Sequence, residues 1–148
     1  MIRLVTLAAA GAVLAGAAGF VPAQQKQTEI VVYKSPTCGC CAKWVAYLQE
    51  QGFKVTTHDI EDMAPVKRRH GVTSRVESCH TGVVEGYVVE GHVPADLIRR
   101  MLAERPDAVG IAAPGMPQGS PGMEGPRKDR YEVVLFDKNG NVTVYAVR

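Results

Sequence analysis

The sequence has almost no excess charge of either sign: 17 Lys and Arg face 15 Asp and Glu across 148 residues. A chain so near neutrality gives no electrostatic footing for nucleic acid or an anionic membrane surface as a partner. Its one cationic cluster, Lys67-Arg68-Arg69-His70, is short and reads as the solvated face of a helix. Internal repeats are lacking, and so is any second long hydrophobic run. The single run, Leu4 to Phe20, follows one charge at Arg3 and precedes Val21-Pro22-Ala23 and the polar Gln24-Gln25-Lys26-Gln27. About 17 residues rich in Ala and Gly lie at the lower limit for spanning a bilayer. Charge, apolar stretch and small residues in this order instead match a secretory signal peptide. Residues 1–23 are therefore expected to be removed on export to the periplasm. Residues 24–148 then form a single domain with one modest core and no membrane segment.

Cysteine is scarce as well, with four in the chain, but three of them fall together in Cys38-Gly39-Cys40-Cys41. The fourth, Cys79, lies in Ser78-Cys79-His80-Thr81. An exported chain meets an oxidising compartment, where disulfides are the default use of paired cysteines. Cys40 and Cys41 are neighbours, their alpha carbons about 3.8 Å apart, below the usual disulfide span. Two structural disulfides would need either that vicinal bridge or a very small loop inside the motif. Thiols so crowded point instead to soft-metal binding or redox chemistry.

The pattern along the chain predicts an α/β fold. Thr28 to Tyr33 is a β-branched run that reads as a buried strand. A helix follows over Cys40 to Gln51, with Cys41, Trp44, Val45 and Leu48 on one face and Gly52 ending it. Phe53 to His58 reads as a strand, Asp62 to His70 as a short helix, and Gly82 to Glu90 as two strands about Gly86. Pro94 opens a helix reaching about Glu104, with Leu97, Ile98, Met101 and Leu102 on one stripe. The order β-α-β-α-β-β-α, with CxxC between the first strand and first helix, is that of a thioredoxin-like core over about 28–108. The extension, about 109–148, starts as a Pro/Gly/Met stretch without helical or strand period. It ends in a hairpin, Tyr131–Phe136 and Val142–Val147, around Asp137-Lys138-Asn139-Gly140-Asn141.

Beside structural disulfides, three chemistries compete for these thiols. Cys38 and Cys41 at a helix N-terminus, where the dipole favours a thiolate, would serve a thiol–disulfide oxidoreductase. Against it, the cis-proline such enzymes place before the third strand is replaced by Ser78-Cys79-His80-Thr81, and Cys40 offers a wrong exchange partner. A single four-thiolate zinc fits poorly, because adjacent helical residues point about 100° apart. Copper fits better: thiolates and thioethers are soft ligands for Cu(I), and thiolates that bridge ions let divergent cysteines serve neighbouring metals. Met116 and Met123, in Pro114-Gly115-Met116-Pro117 and Pro121-Gly122-Met123, have no periodic neighbours to pack against and are candidate soft ligands. His80 and His92 are weaker candidates. Side chains of strand neighbours face opposite ways, which turns His80 from Cys79, and His92 can equally cap the helix that follows. His58 and His70 read as surface residues.

Pro36-Thr37-Cys38-Gly39-Cys40-Cys41 with Trp44, Ser78-Cys79-His80-Thr81, Glu90-Gly91-His92-Val93-Pro94 and the two Pro-Gly-Met motifs together resemble the CopG-type copper-resistance proteins of Gram-negative bacteria. These are periplasmic, thioredoxin-like proteins marked by a CxCC motif. The resemblance implies a thioredoxin core whose extension helps bind metal. It also implies a cysteine-bridged multinuclear copper site, with Cys38, Cys40, Cys41 and Cys79 as bridging ligands and a role interconverting Cu(I) and Cu(II) before export. Copper ions, copper efflux components or a redox partner are the implied contacts of a monomeric protein. A thiol–disulfide oxidoreductase using Cys38 and Cys41, and a passive periplasmic copper chaperone, remain the alternatives.

Overall fold

The computed structural model describes residues 27–148; the signal-peptide reading of residues 1–23 lies outside them. The elements run β1 (Glu29–Lys34), α1 (Gly39–Glu50), β2 (Lys54–Asp59), α2 (Ala64–Arg69), β3 (His80–Val84), β4 (Tyr87–Glu90), α3 (Ala95–Glu104), β5 (Gly110–Ala112), β6 (Glu132–Phe136) and β7 (Val142–Val147). All seven strands join one sheet in the order β2-β1-β3-β4-β5-β6-β7. β1 pairs parallel with β2 and antiparallel with β3, and β3 and β4 form a hairpin through Glu85 and Gly86. The thioredoxin-like order expected of the first seven elements is thus present, and the expected C-terminal hairpin continues the same sheet.

Alternation along the strands divides the core into two layers. Val89, Ile111 and Val133 face one side, where they join Trp44, Leu48, Ile98 and Met101 of α1 and α3. Their neighbours Val88, Ala112 and Val134 face the other and pack with Val72 and Val76, which follow α2. Side chains of successive strand residues point to opposite faces, so a sheet covered on both sides buries both sets.

Two expectations need correction. The Pro/Gly/Met stretch that opens the extension is not free of strand: β5 runs parallel to β4 and antiparallel to β6, joining the hairpin to the core. Three buried residues, Gly110, Ile111 and Ala112, are too few to show a period. A Cβ at Gly110 would collide with the Val88 backbone, so glycine allows this close approach. Lys67 is also not part of a solvated face. It is 6% exposed and ion-paired to the fully buried Glu90, whereas Arg68 and Arg69 beside it are exposed as expected. Among the described residues no helix is long and apolar enough to cross a membrane.

Candidate metal centre

The thiols gather at one end of the sheet because three chain segments converge there. β1 ends at Lys34, which pairs with His80 at the start of β3, so Cys79 lies beside the turn leading into α1. Cys38 is the N-cap of α1, and its sulfur accepts the Cys41 backbone N–H at 3.3 Å. Such a cap satisfies one of the helix's free N–H groups and places sulfur at the positive end of the dipole. The third segment, Gly91-His92-Val93-Pro94, leaves β4 at the same end, and Val93 carbonyl accepts the Trp44 indole N–H at 3.0 Å.

All four cysteine sulfurs lie within 4.8 Å of one another. Cys38 and Cys41, the CxxC pair, form a disulfide. Cys40 and Cys79 are free and partly buried, and the Cys40 sulfur is 3.5 Å from that of Cys38. This is one bridge and two thiols rather than two structural disulfides. No cis peptide bond occurs among the described residues, in keeping with the missing proline before β3.

Cys79 belongs to a second donor group as well, with His80 and His92, whose ligand atoms again lie within 4.8 Å of one another. Its sulfur is 3.1 Å from Nε2 of His92 and 3.3 Å from Nδ1 of His80. Burial first, and the nearby Cys40 second, push the Cys79 thiol up to about 11. Nδ1 of His92 is 2.8 Å from the Pro121 carbonyl. A carbonyl can only accept, so Nδ1 carries the proton and Nε2 presents its lone pair to Cys79. Both rings are held below the usual imidazole range, chiefly by burial, and His80 well below it. His80 packs against Trp44, ring centroids 4.3 Å apart, and its Nε2 is buried with no hydrogen-bond partner among the described residues. Neutral imidazoles next to thiols are soft and borderline donors, a set suited to copper.

The structure brings His80 and His92, the weaker candidates of the sequence, together with Cys79. Strand alternation would turn His80 away from Cys79, but Cys79 sits in the bend before β3, where alternation does not hold. His92 stands in Glu90-Gly91-His92-Val93-Pro94, between the end of β4 and the start of α3, and Val93 beside it is bonded to Trp44 of α1.

The Pro/Gly/Met loop lies on the site and is organised by its own hydrogen bonds. Met123 N–H donates to Ser120 carbonyl, Gly119 N–H to Met123 carbonyl, and Gly122 N–H to the Glu124 carboxylate. Gly122, at φ +82°, is pressed so close to α1 that a Cβ would stand 2.8 Å from Trp44 N and 2.9 Å from Cys40 O. Met123 is part-buried and shares a groove with Gly39, Cys40 and Lys43. Met116 is 50% exposed. It is tied to the site through its neighbour Gly115, whose N–H donates to Glu77 carbonyl and whose carbonyl accepts the Ser78 hydroxyl. Met101, read as core, is fully buried there. His58 is exposed and His70 half-buried, both against Tyr33.

Comparison with known proteins places these motifs in context. The family model described as "Protein of unknown function, DUF411" matches residues 76–123, and the glutaredoxin model matches residues 30–80. The comparison with curated proteins returns no match. Among solved structures, the copper resistance protein copG in Form 2 is 50% identical, with a TM-score of 0.79 over 83% of this chain and 99% of that one. Form 1 is likewise 50% identical, with a TM-score of 0.78 over 83% and 98%.

Proposed function

This chain belongs to the family of the CopG copper resistance proteins, and from that premise we propose that it is exported to the periplasm and holds copper in a cysteine-bridged, multinuclear site. One observation carries the reading: Cys79 is common to the four-cysteine group and to the Cys-His-His group. A sulfur shared by two donor groups has the position that a bridging thiolate requires. In this reading Cys38, Cys40, Cys41 and Cys79 bridge the copper ions, and the extension contributes Met116 and Met123 as thioether donors. Residues 24–148 act as one unit, a core over about 28–108 with its extension, and work as a monomer.

Thiolates and thioethers favour Cu(I), and imidazoles also suit copper, so a mixed donor set tolerates both oxidation states. Interconversion passes one electron per copper to or from a separate redox protein. Full use of the cysteines requires the Cys38–Cys41 bond to open. A dithiol reductant supplies two electrons and two protons and leaves as a disulfide. Copper then displaces protons from the thiols it binds, and efflux components are the expected recipients.

The second reading is thiol–disulfide exchange. The Cys38–Cys41 disulfide at the α1 N-terminus and the glutaredoxin match over residues 30–80 favour it. Copper counted by elemental analysis on the reduced, anaerobically loaded protein separates the two. More than one copper per chain, with a lower count in Cys40→Ser, is the expected result; no bound copper would falsify the copper reading. Insulin reduction that survives Cys40→Ser and Cys79→Ser but is lost in Cys38→Ser would favour exchange. Stoichiometric transfer without turnover in the presence of an electron partner would leave a passive chaperone.

A further inference from the structure

Cys79 has no cis-proline beside it, and a buried ion pair lies against its segment instead. Glu90, the last residue of β4, is fully buried, and Lys67 of α2 reaches it through the interior. One Glu90 oxygen accepts the Ser78 backbone N–H at 2.8 Å. The other accepts the Thr81 hydroxyl at 2.6 Å. Lys67 Nζ donates to the Ser78 carbonyl at 2.8 Å as well as to Glu90. Both backbone polar groups of the residue preceding Cys79 are therefore gripped by one acid–base pair, and Thr81 on its far side is gripped by the same carboxylate.

We propose that Lys67 and Glu90 are positioning residues that hold the Ser78–Thr81 segment so that Cys79 faces both the CxCC sulfurs and His92. The proposal rests on the copper reading for its purpose and on geometry for its mechanism. A buried ion pair is not the cheapest way to fill a core, because desolvation offsets much of the Coulomb attraction, and apolar replacements of similar volume are often as stable. Simple cohesion therefore gives little reason for the pair. The two bonds to Ser78 give one, since an apolar pair cannot supply them. Partners behind a ligand commonly alter metal affinity about 10–100-fold when they are changed.

The test uses the full mature protein carrying Lys67→Met with Glu90→Leu, which removes both charges together and leaves neither buried alone. N-ethylmaleimide labelling of the metal-free, disulfide-containing protein, resolved by site, gives the ratio of Cys79 to Cys40 modification. We expect that ratio to rise about tenfold and Cu(I) affinity, by competition with a chromophoric chelator, to fall about 10–100-fold, with little change in melting temperature. Should that variant fail to fold, Lys67→Met with Glu90→Gln retains an acceptor for the Ser78 N–H while losing the donor to its carbonyl, and a smaller rise in the same ratio is expected. An unchanged ratio in a folded variant overturns the proposal. So does a raised ratio with unchanged copper affinity. Wild-type protein that takes up no copper would defeat the copper reading, while the labelling ratio would still decide whether the pair holds Cys79.

Discussion

At the scale of single residues, Cys79 is distinguished by the company its sulfur keeps. It lies near both the disulfide and Cys40 and against two neutral imidazoles. Burial and Cys40 push its thiol from an ordinary 9.0 up to about 11. A raised value means that the folded chain holds this proton more tightly than the unfolded chain does. That contribution to stability is complete below about pH 9 and lost as pH rises through about 11. The reactive form of a cysteine is its thiolate. Metal-free protein should therefore react slowly with iodoacetamide at Cys79 near pH 7.5, with a rate that keeps climbing towards pH 11, as followed by site-resolved mass spectrometry. Rapid neutral-pH modification of Cys79 would contradict the environment described for it. Copper has to displace the same proton, so uptake should weaken as pH falls.

At the scale of elements, the loop from Pro114 to Pro126 is held to the helix that carries the CxCC motif. Gly122 makes that contact with a positive φ and no side chain, and Pro121 just before it fixes the His92 ring. Gly122→Ala forces a Cβ against the backbone of Cys40 and Trp44 in a conformation that costs an L-residue of order 1–3 kcal/mol. The variant should lose roughly that much stability in urea denaturation, and the His92 ring resonances should shift as the Pro121 bond lengthens. A variant indistinguishable from wild type would show that the loop is not seated on α1. The sequence made the regular elements legible here: Cys41, Trp44, Val45 and Leu48 announce the buried face of α1, and Asp137 to Asn141 announce the hairpin turn. β5 was illegible because three residues carry no period. The burial of Lys67 was illegible for a different reason. Its local context is cationic, and its partner Glu90 is 23 residues away in sequence, on another element. The gathering of Cys79 with the CxCC motif could be read from the thioredoxin-like order, whereas the turn of His80 towards Cys79 depends on a bend that composition does not encode.

At the scale of the whole molecule, the extension completes the sheet that the core begins. β5 covers the open edge of β4, and Ile111, Ala113 and Val133 enter the same apolar cluster as Val89, Leu97 and Ile98. On the opposite face Val134 and Phe136 pack with Val88. A chain ending at Ala108 would retain all four cysteines, both site histidines and the Lys67–Glu90 pair, yet it would lose these buried side chains. Each is worth about 1.5–3 kcal/mol when a Val, Ile or Phe is fully buried. Four such residues, Ile111, Val133, Val134 and Phe136, together rival the roughly 5–15 kcal/mol that separates an ordinary domain from its unfolded state. The newly bare β4 edge also invites pairing between chains. The truncated protein is therefore expected to melt without a cooperative transition, or to aggregate, when followed by circular dichroism and light scattering alongside the full mature chain. A cooperative melt close to that of the full chain would instead establish residues 28–108 as an independent thioredoxin-like unit, with the extension merely laid beside the site. The shared sheet and the shared apolar cluster argue for the first outcome, in which the metal-binding surface and the stability of the fold depend on the same C-terminal strands.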